Sequence, residues 1–217
     1  VKFTEDLAEQ TTAATDIILA LVAGASVLFL RGPELNNSQL WKVNIWSGAF
    51  GLIGLAAVLG AVAHGLVLSQ SLHHRIWRVL NLALALAISL FVVAVVYDLW
   101  GSPASLTALP VMLIAGATFY LVTLLYPGIF FLFIVYEALS LVFALSVYVF
   151  LAIRGELPGA GWMAVGILLS ILAAGIQANK SVRVAVIWEF DHNGIYHLVQ
   201  TVGLFFLAAG LKLSLIS

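Results

Sequence analysis

The chain contains no cysteine. That absence excludes disulfides, iron–sulfur clusters, thiolate zinc sites and cysteine nucleophiles together. Charge is nearly as scarce: 9% of the 217 residues are Asp, Glu, Lys or Arg, where a soluble chain carries about a quarter. The formal net charge of −1 leaves no basic excess for nucleic acid and no acidic tail. Internal repeats, low-complexity tracts and long connections are also missing, so no second domain is expected. What is present is apolar: 63% of residues are hydrophobic, which reads as an integral membrane protein. The stretch before the first apolar run is acidic (Lys2, Glu5, Asp6, Glu9), unlike a retained signal peptide.

Seven apolar segments are long enough to cross a bilayer, given that a helical span needs about 20 residues. They fall near 13–31, 44–70, 75–99, 104–126, 128–153, 158–178 and 193–215. The expected fold is therefore all-α, a polytopic seven-transmembrane helix bundle forming one domain over 1–217. The connections are short, among them a basic turn at Ser71–Arg75, Gly101-Ser102-Pro103 and Tyr126-Pro127-Gly128. The last connection carries Val182, Val184, Val186 and Trp188, the amphipathic character of a segment lying on the membrane surface. Lys2, Arg75, Arg78, Lys180 and Arg183 fall on the N-terminal side, and Arg31, Lys42, Arg154 and Lys212 on the other. Clustering of the first group in two connections points to a cytoplasmic N-terminus.

Polar groups concentrate at the start of the last segment, in Asp191-His192-Asn193-Gly194-Ile195-Tyr196-His197-Leu198-Val199-Gln200. Asp191 or Asn193 would cap that helix. Asn193, His197 and Gln200, spaced i, i+4, i+7, share a face, whereas His192 and His197 point about 140° apart on an ideal helix. Elsewhere Asp16 lies early in the first segment, and Ala56, Gly60 and His64 form one ridge of the second. Asn81 opens the third, Glu137 sits nine residues into the fifth, and Gln177 ends the sixth. Alternate helices run in opposite directions, so all of these fall toward the N-terminal side, with Glu137 deepest. Asp98, beside Tyr97 and Trp100, falls on the opposite side and reads as part of an interfacial belt. An ionisable group at a helix centre costs about 2.5–3.5 kcal/mol on insertion scales and faces the bundle interior. A shared pocket, open toward the N-terminal side, accounts for the pattern.

A catalytic zinc needs three protein ligands and an open position for water. His64, His197 and His192 would supply them, provided the chain is not yet helical at His192. Asp16 or Glu137 would then orient a histidine or act as catalytic general base on the bound water. Asn81, Gln177, Asn193 and Gln200 would complete the pocket.

The stretch from His192 to Phe206 (HNGIYHLVQTVGLFF) resembles the signature of a bacterial family of seven-helix membrane proteins of uncharacterised function, and Thr11-Thr12-Ala13-Ala14-Thr15-Asp16 agrees with it. That resemblance implies a bacterial cytoplasmic membrane. More distantly, the arrangement resembles the superfamily of alkaline ceramidases and adiponectin/progestin receptors, seven-helix intramembrane zinc amidohydrolases. Their metal is held by a histidine late in helix two and an HxxxH pair at the start of helix seven, with a serine and an aspartate nearby. His64 fits the first position and His197 the second histidine of the pair. The first of the pair falls on Asn193, with His192 one residue early. The aspartate would fall near Asn81 rather than Asp98, and Ser47 is far from His64 in depth.

Three function classes fit these residues. One is a zinc-dependent intramembrane hydrolase of a lipid amide or ester. The second is a non-catalytic subunit of a larger membrane complex, with His64 or His197 contacting haem or a chlorophyll-type pigment. The third is a carrier or sensor whose acids and histidines form a relay, although no broken helices or paired half-repeats accompany it. Membrane lipids are the expected partners, with other membrane subunits in the second class and no nucleic acid in any.

Overall fold

Most of the helices begin where the sequence supplies a group for their unpaired backbone N–H groups. The computed structural model describes residues 2–31, 35–126, 130–185 and 187–216, and the side chains of residues 38, 130, 131 and 133 fall outside that set, as do Pro127, Gly128 and Val186. Helix α1 spans Leu7–Leu30, capped by Asp6, whose carboxylate accepts from the Ala8 N–H at 2.9 Å. It starts a turn and a half ahead of the predicted span because that cap lies outside the apolar run. Helix α2, Asn37–Gly65, opens on a capping box between Asn36 and Gln39. It stops about five residues sooner than expected, because the chain turns extended at Leu66 and pairs with Phe3. The Gly65 carbonyl and the Val67 N–H bond to Thr4 and Lys2 at 3.0 and 2.9 Å. His64 is thus the penultimate residue of α2 rather than two turns inside it.

Helix α3 runs Gln70–Leu125, 56 residues, but Gly101 within it has φ 81° and ψ −176°. Such a backbone suits glycine and excludes a Cβ, and Pro103 follows it. The two halves turn back on one another. Ser89 donates to the Met112 carbonyl at 2.8 Å, and Gly116 lies against Ser89 and Ala85 with no room for a side chain. Helices α4 (Phe130–Arg154), α5 (Ala160–Ala178) and α6 (His192–Ile216) complete the bundle. Strands β1 (Arg183–Ala185) and β2 (Glu189–Asp191) form a small antiparallel hairpin between α5 and α6, with Val184 opposite Phe190. The sequence predicts an amphipathic segment lying on the membrane surface there; backbone pairing gives it a fixed shape, with Ile187 and Trp188 exposed.

Among the described residues, six helices are long and apolar enough to cross a membrane. Large apolar side chains such as Leu28, Ile153, Phe205 and Ile216 point outward, as hydrocarbon permits. The strongest packing joins α5 to α6, α1 to α2 and α2 to α3. At the end away from the N-terminus, Lys42 lies 2.6 Å from Asp98 and 2.7 Å from the Ser214 hydroxyl, while Tyr148 donates to Asp98 at 2.8 Å. The Lys42 and Asp98 side chains are 5% and 1% exposed. Asp98 is therefore not an interfacial residue: it is the centre of a buried cluster joining α2, α3, α4 and α6. Of the expected belt, Trp100 is at the surface.

Candidate functional site

The site begins where α6 does. Asp191 accepts from the Gly194 N–H and from the Thr12 hydroxyl, each at 2.9 Å. Asp191 is thus the cap, and Asn193 lies in the first turn. The same carboxylate fastens α6 to α1, and the Thr11 hydroxyl, 2.6 Å from the Glu189 carbonyl, fastens the hairpin there too. Burial alone would raise the Asp191 carboxyl, but the bonds from Gly194 and Thr12, with His192 beside it, hold it below the usual aspartate range.

One turn further on, His197 is 8% exposed. Its Nε2 lies 3.2 Å from Asp16 Oδ1 and its Nδ1 3.3 Å from the Thr15 hydroxyl oxygen. The Thr15 hydroxyl already donates to the Thr12 carbonyl at 2.8 Å, so Nδ1 is the donor in its contact with Thr15. Asp16 and Nε2 then share one proton, carried by either partner. Asp16 itself is buried and its Oδ2 has no hydrogen-bond partner among the described residues. It packs on Gly60, where an added Cβ would come within 2.8 Å of both carboxylate oxygens. The glycine is what lets α1 carry its acid into the α1–α2 seam. One turn along α2, His64 Nδ1 meets Glu9 Oε2 at 2.6 Å, and the imidazole stands edge-on to Trp77.

These groups border a cavity of about 520 Å³ enclosed by the helices. Every candidate from the sequence lines it: Asp16 on α1, His64 on α2, Asn81 on α3, Glu137 on α4 and Gln177 on α5. The α6 contribution is His192, Asn193, His197 and Gln200. Deeper in, the lining turns apolar, with Leu84, Ile88, Leu204 and finally Trp46, Phe50, Phe91 and Leu207. From His192 to Leu207 the α6 wall covers about 22 Å at 1.5 Å per residue. The cavity thus runs from a polar end to an apolar one.

Its polar groups divide into two sets. Asp16, His64 and His197 are engaged with protein partners, as above. Asn81, Glu137, Gln177, Tyr196 and Gln200 have no hydrogen bond or ion pair to any described residue. The sequence alone does not assign Tyr196, Lys180 and Trp77 to the lining, or Glu9 and Thr15 to contacts beside it. Glu9, Thr12 and Asp16, spaced i, i+3, i+7, lie on one face of α1, so helical spacing alone puts the acid that pairs with His64 and the hydroxyl that meets Asp191 on the face that carries Asp16. Lys180 lies just after α5, in the connection before β1, where helical spacing no longer predicts which way a side chain faces.

The three histidines share the cavity without forming a ligand set. His197 has both ring nitrogens occupied, His64 has Nδ1 on Glu9, and His192 is the first residue of α6 with Nδ1 3.7 Å from Asp191. Among the described residues, no group of three or more His, Cys, Asp or Glu could hold a metal ion. The donor set as arranged does not fit a catalytic zinc.

Fold and cavity together define a class: a polytopic helical membrane protein with a polar-to-apolar cavity inside its bundle. Over residues 11–215 the chain matches the family described as "Family of unknown function (DUF6962)", and it belongs to that family. No curated protein and no solved structure matches it.

Proposed function

We propose that this chain is a seven-span membrane protein whose cavity binds an amphiphilic, lipid-like molecule. The headgroup lies among the polar side chains nearer the N-terminal face, and the hydrocarbon lies against Leu84, Ile88, Phe91 and Leu204. The span count rests on α3. At 1.5 Å per residue its 56 residues would extend about 84 Å, against a hydrocarbon core of about 30 Å, and its halves bond to each other across Gly101. Each half is therefore one span, and the N- and C-termini lie on opposite faces.

One observation carries the binding reading: five polar side chains from α3, α4, α5 and α6 face a common cavity with no hydrogen-bond or ion-pair partner among the described residues. Inside a bilayer such groups need internal satisfaction, and a buried unpaired one costs about 1–3 kcal/mol. A ligand headgroup supplies the missing partners, and the apolar walls beyond would bury its tail. A volume of this size lies within the range of about 300–1,000 Å³ typical of small-molecule sites.

The test is native mass spectrometry of the protein released from nanodiscs, with identification of any retained amphiphile. One amphiphile per chain is expected, and Ala57→Phe, which fills the middle of the cavity, should abolish its retention without unfolding the protein. Folded protein that shows no saturable amphiphile binding sinks the reading. Hydrolysis of a bound ester or amide has one group in its favour. Glu137 is an unpartnered carboxyl able to take a proton from water, whereas Asp16 is committed to His197 and Gly60. A pigment-binding subunit has less support, because both nitrogens of His197 are occupied and His64 is held between Glu9 and Trp77.

A further inference from the structure

We infer that the ligand is a cationic amphiphile, an alkyl amine whose ammonium group sits against Glu137. This rests on the amphiphile-binding reading and adds the sign of the headgroup. Glu137 is the eighth residue of α4, about 10 Å along the helix from its start and well inside the hydrocarbon depth. It lines the cavity, and no described Lys, Arg or His neutralises it. The other acid in the lining, Asp16, already has His197. A carboxyl offers something there that an amide does not. An amide recognises a hydroxyl or carbonyl, and the chain already presents amides at Asn81, Gln177 and Gln200. A carboxyl can also ionise, and the charge it then carries is one that an ammonium neutralises and a neutral ligand does not. An alkyl ammonium, like a lysine, remains charged at neutral pH and carries three donors. Glu137 would accept one, and amide carbonyls such as those of Gln200 and Asn81 are available for the others. The cations near the mouth do not oppose this. Lys180 is solvent-exposed, where salt screens it, and His64 is already paired with Glu9.

The experiment compares dodecylamine, dodecanol and dodecanoate, equal in chain length, for binding to the full chain in nanodiscs of neutral lipid. Native mass spectrometry reads occupancy. Fluorescence of Trp46 and Trp77, the tryptophans in the lining, gives an independent titration. Dodecylamine is expected to bind tightest, and Glu137→Gln to weaken it about 10- to 100-fold, the range of a hydrogen bond to a charged group. Dodecanol should bind Glu137→Gln and the parent chain alike. An amine that binds no better than the alcohol overturns the inference, as does a folded Glu137→Gln that retains full amine affinity. The parent-chain comparison stands even if that variant does not fold. Saturable alcohol binding blocked by Ala57→Phe, with no preference for amine, would retain the cavity reading and reject the amine. Absence of binding by all three would reject both.

Discussion

Gly60 and Asp16 show how little space decides the site. A methyl group at Gly60 would meet both oxygens of the Asp16 carboxylate, and overpacking of this kind costs about 1–3 kcal/mol. Gly60→Ala should lower the thermal stability of the purified protein by that order, and Gly60→Ala/Asp16→Ser should recover part of it. If Gly60→Ala melts like the parent, the α1–α2 seam is not as tight as described. Asp191 yields a pH dependence. Its folded pKa lies below the ordinary 3.8, so its stabilisation is fully present above that value. It is lost as pH falls through the lower, folded pKa. Asp191→Asn should flatten the acid side of a stability–pH curve and leave neutral pH less stable than the parent, since the charge-assisted Gly194 and Thr12 bonds weaken. The pairing of His197 with Asp16 was within reach of the sequence, because both stand at the starts of their helices on the same side. The pairing of His64 with Glu9 is not legible in the sequence, because Glu9 precedes the apolar run and stands in a short acidic stretch.

Helix α3 carries the largest difference between sequence and structure among the elements. The sequence divides it at Gly101-Ser102-Pro103 into two segments, whereas the backbone stays helical up to and after one glycine. Both descriptions share a physical cause. A single residue at φ 81° reverses the chain without a loop, and the reversal is held by Ser89 reaching Met112. Gly101→Ala forces an L-residue into the left-handed region and should destabilise by about 1–2 kcal/mol, measurable as a lower melting temperature in detergent. The second element-scale result is the ion pair of Lys42 and Asp98, which ties four helices at the end opposite the cavity mouth. Asp98→Ala would strand a buried ammonium, at a cost of about 3–5 kcal/mol, while Lys42→Met/Asp98→Leu should be far milder. Equal losses in the two variants would mean that the pair is not buried as a unit. Asp98 was read as interfacial because it stands beside Tyr97 and Trp100. Its partner Lys42 lies 56 positions away on a helix that begins earlier than hydropathy marks, so local sequence held no sign of it.

For the whole molecule, the seven-span proposal puts residues 3 and 216 on opposite faces and residues 3 and 181 on the same one. The lack of cysteine makes this easy to measure, because Phe3→Cys, Ser181→Cys and Ile216→Cys each introduce the sole thiol. A membrane-impermeant maleimide applied from one side should label the first two alike and the third oppositely; labelling of all three from one side would reject the topology. The sequence by itself determined the membrane class, the helical architecture and the set of polar residues drawn toward one face. It could do so because hydropathy, helical period and insertion cost act locally along the chain. Only the tertiary structure decided which of those residues satisfy one another and which face the cavity unpaired. It alone separated three histidines that share a cavity from three that share a metal. Partnership depends on distances of a few ångströms between helices, and those come from close packing at residues such as Gly60, which one-dimensional spacing does not contain.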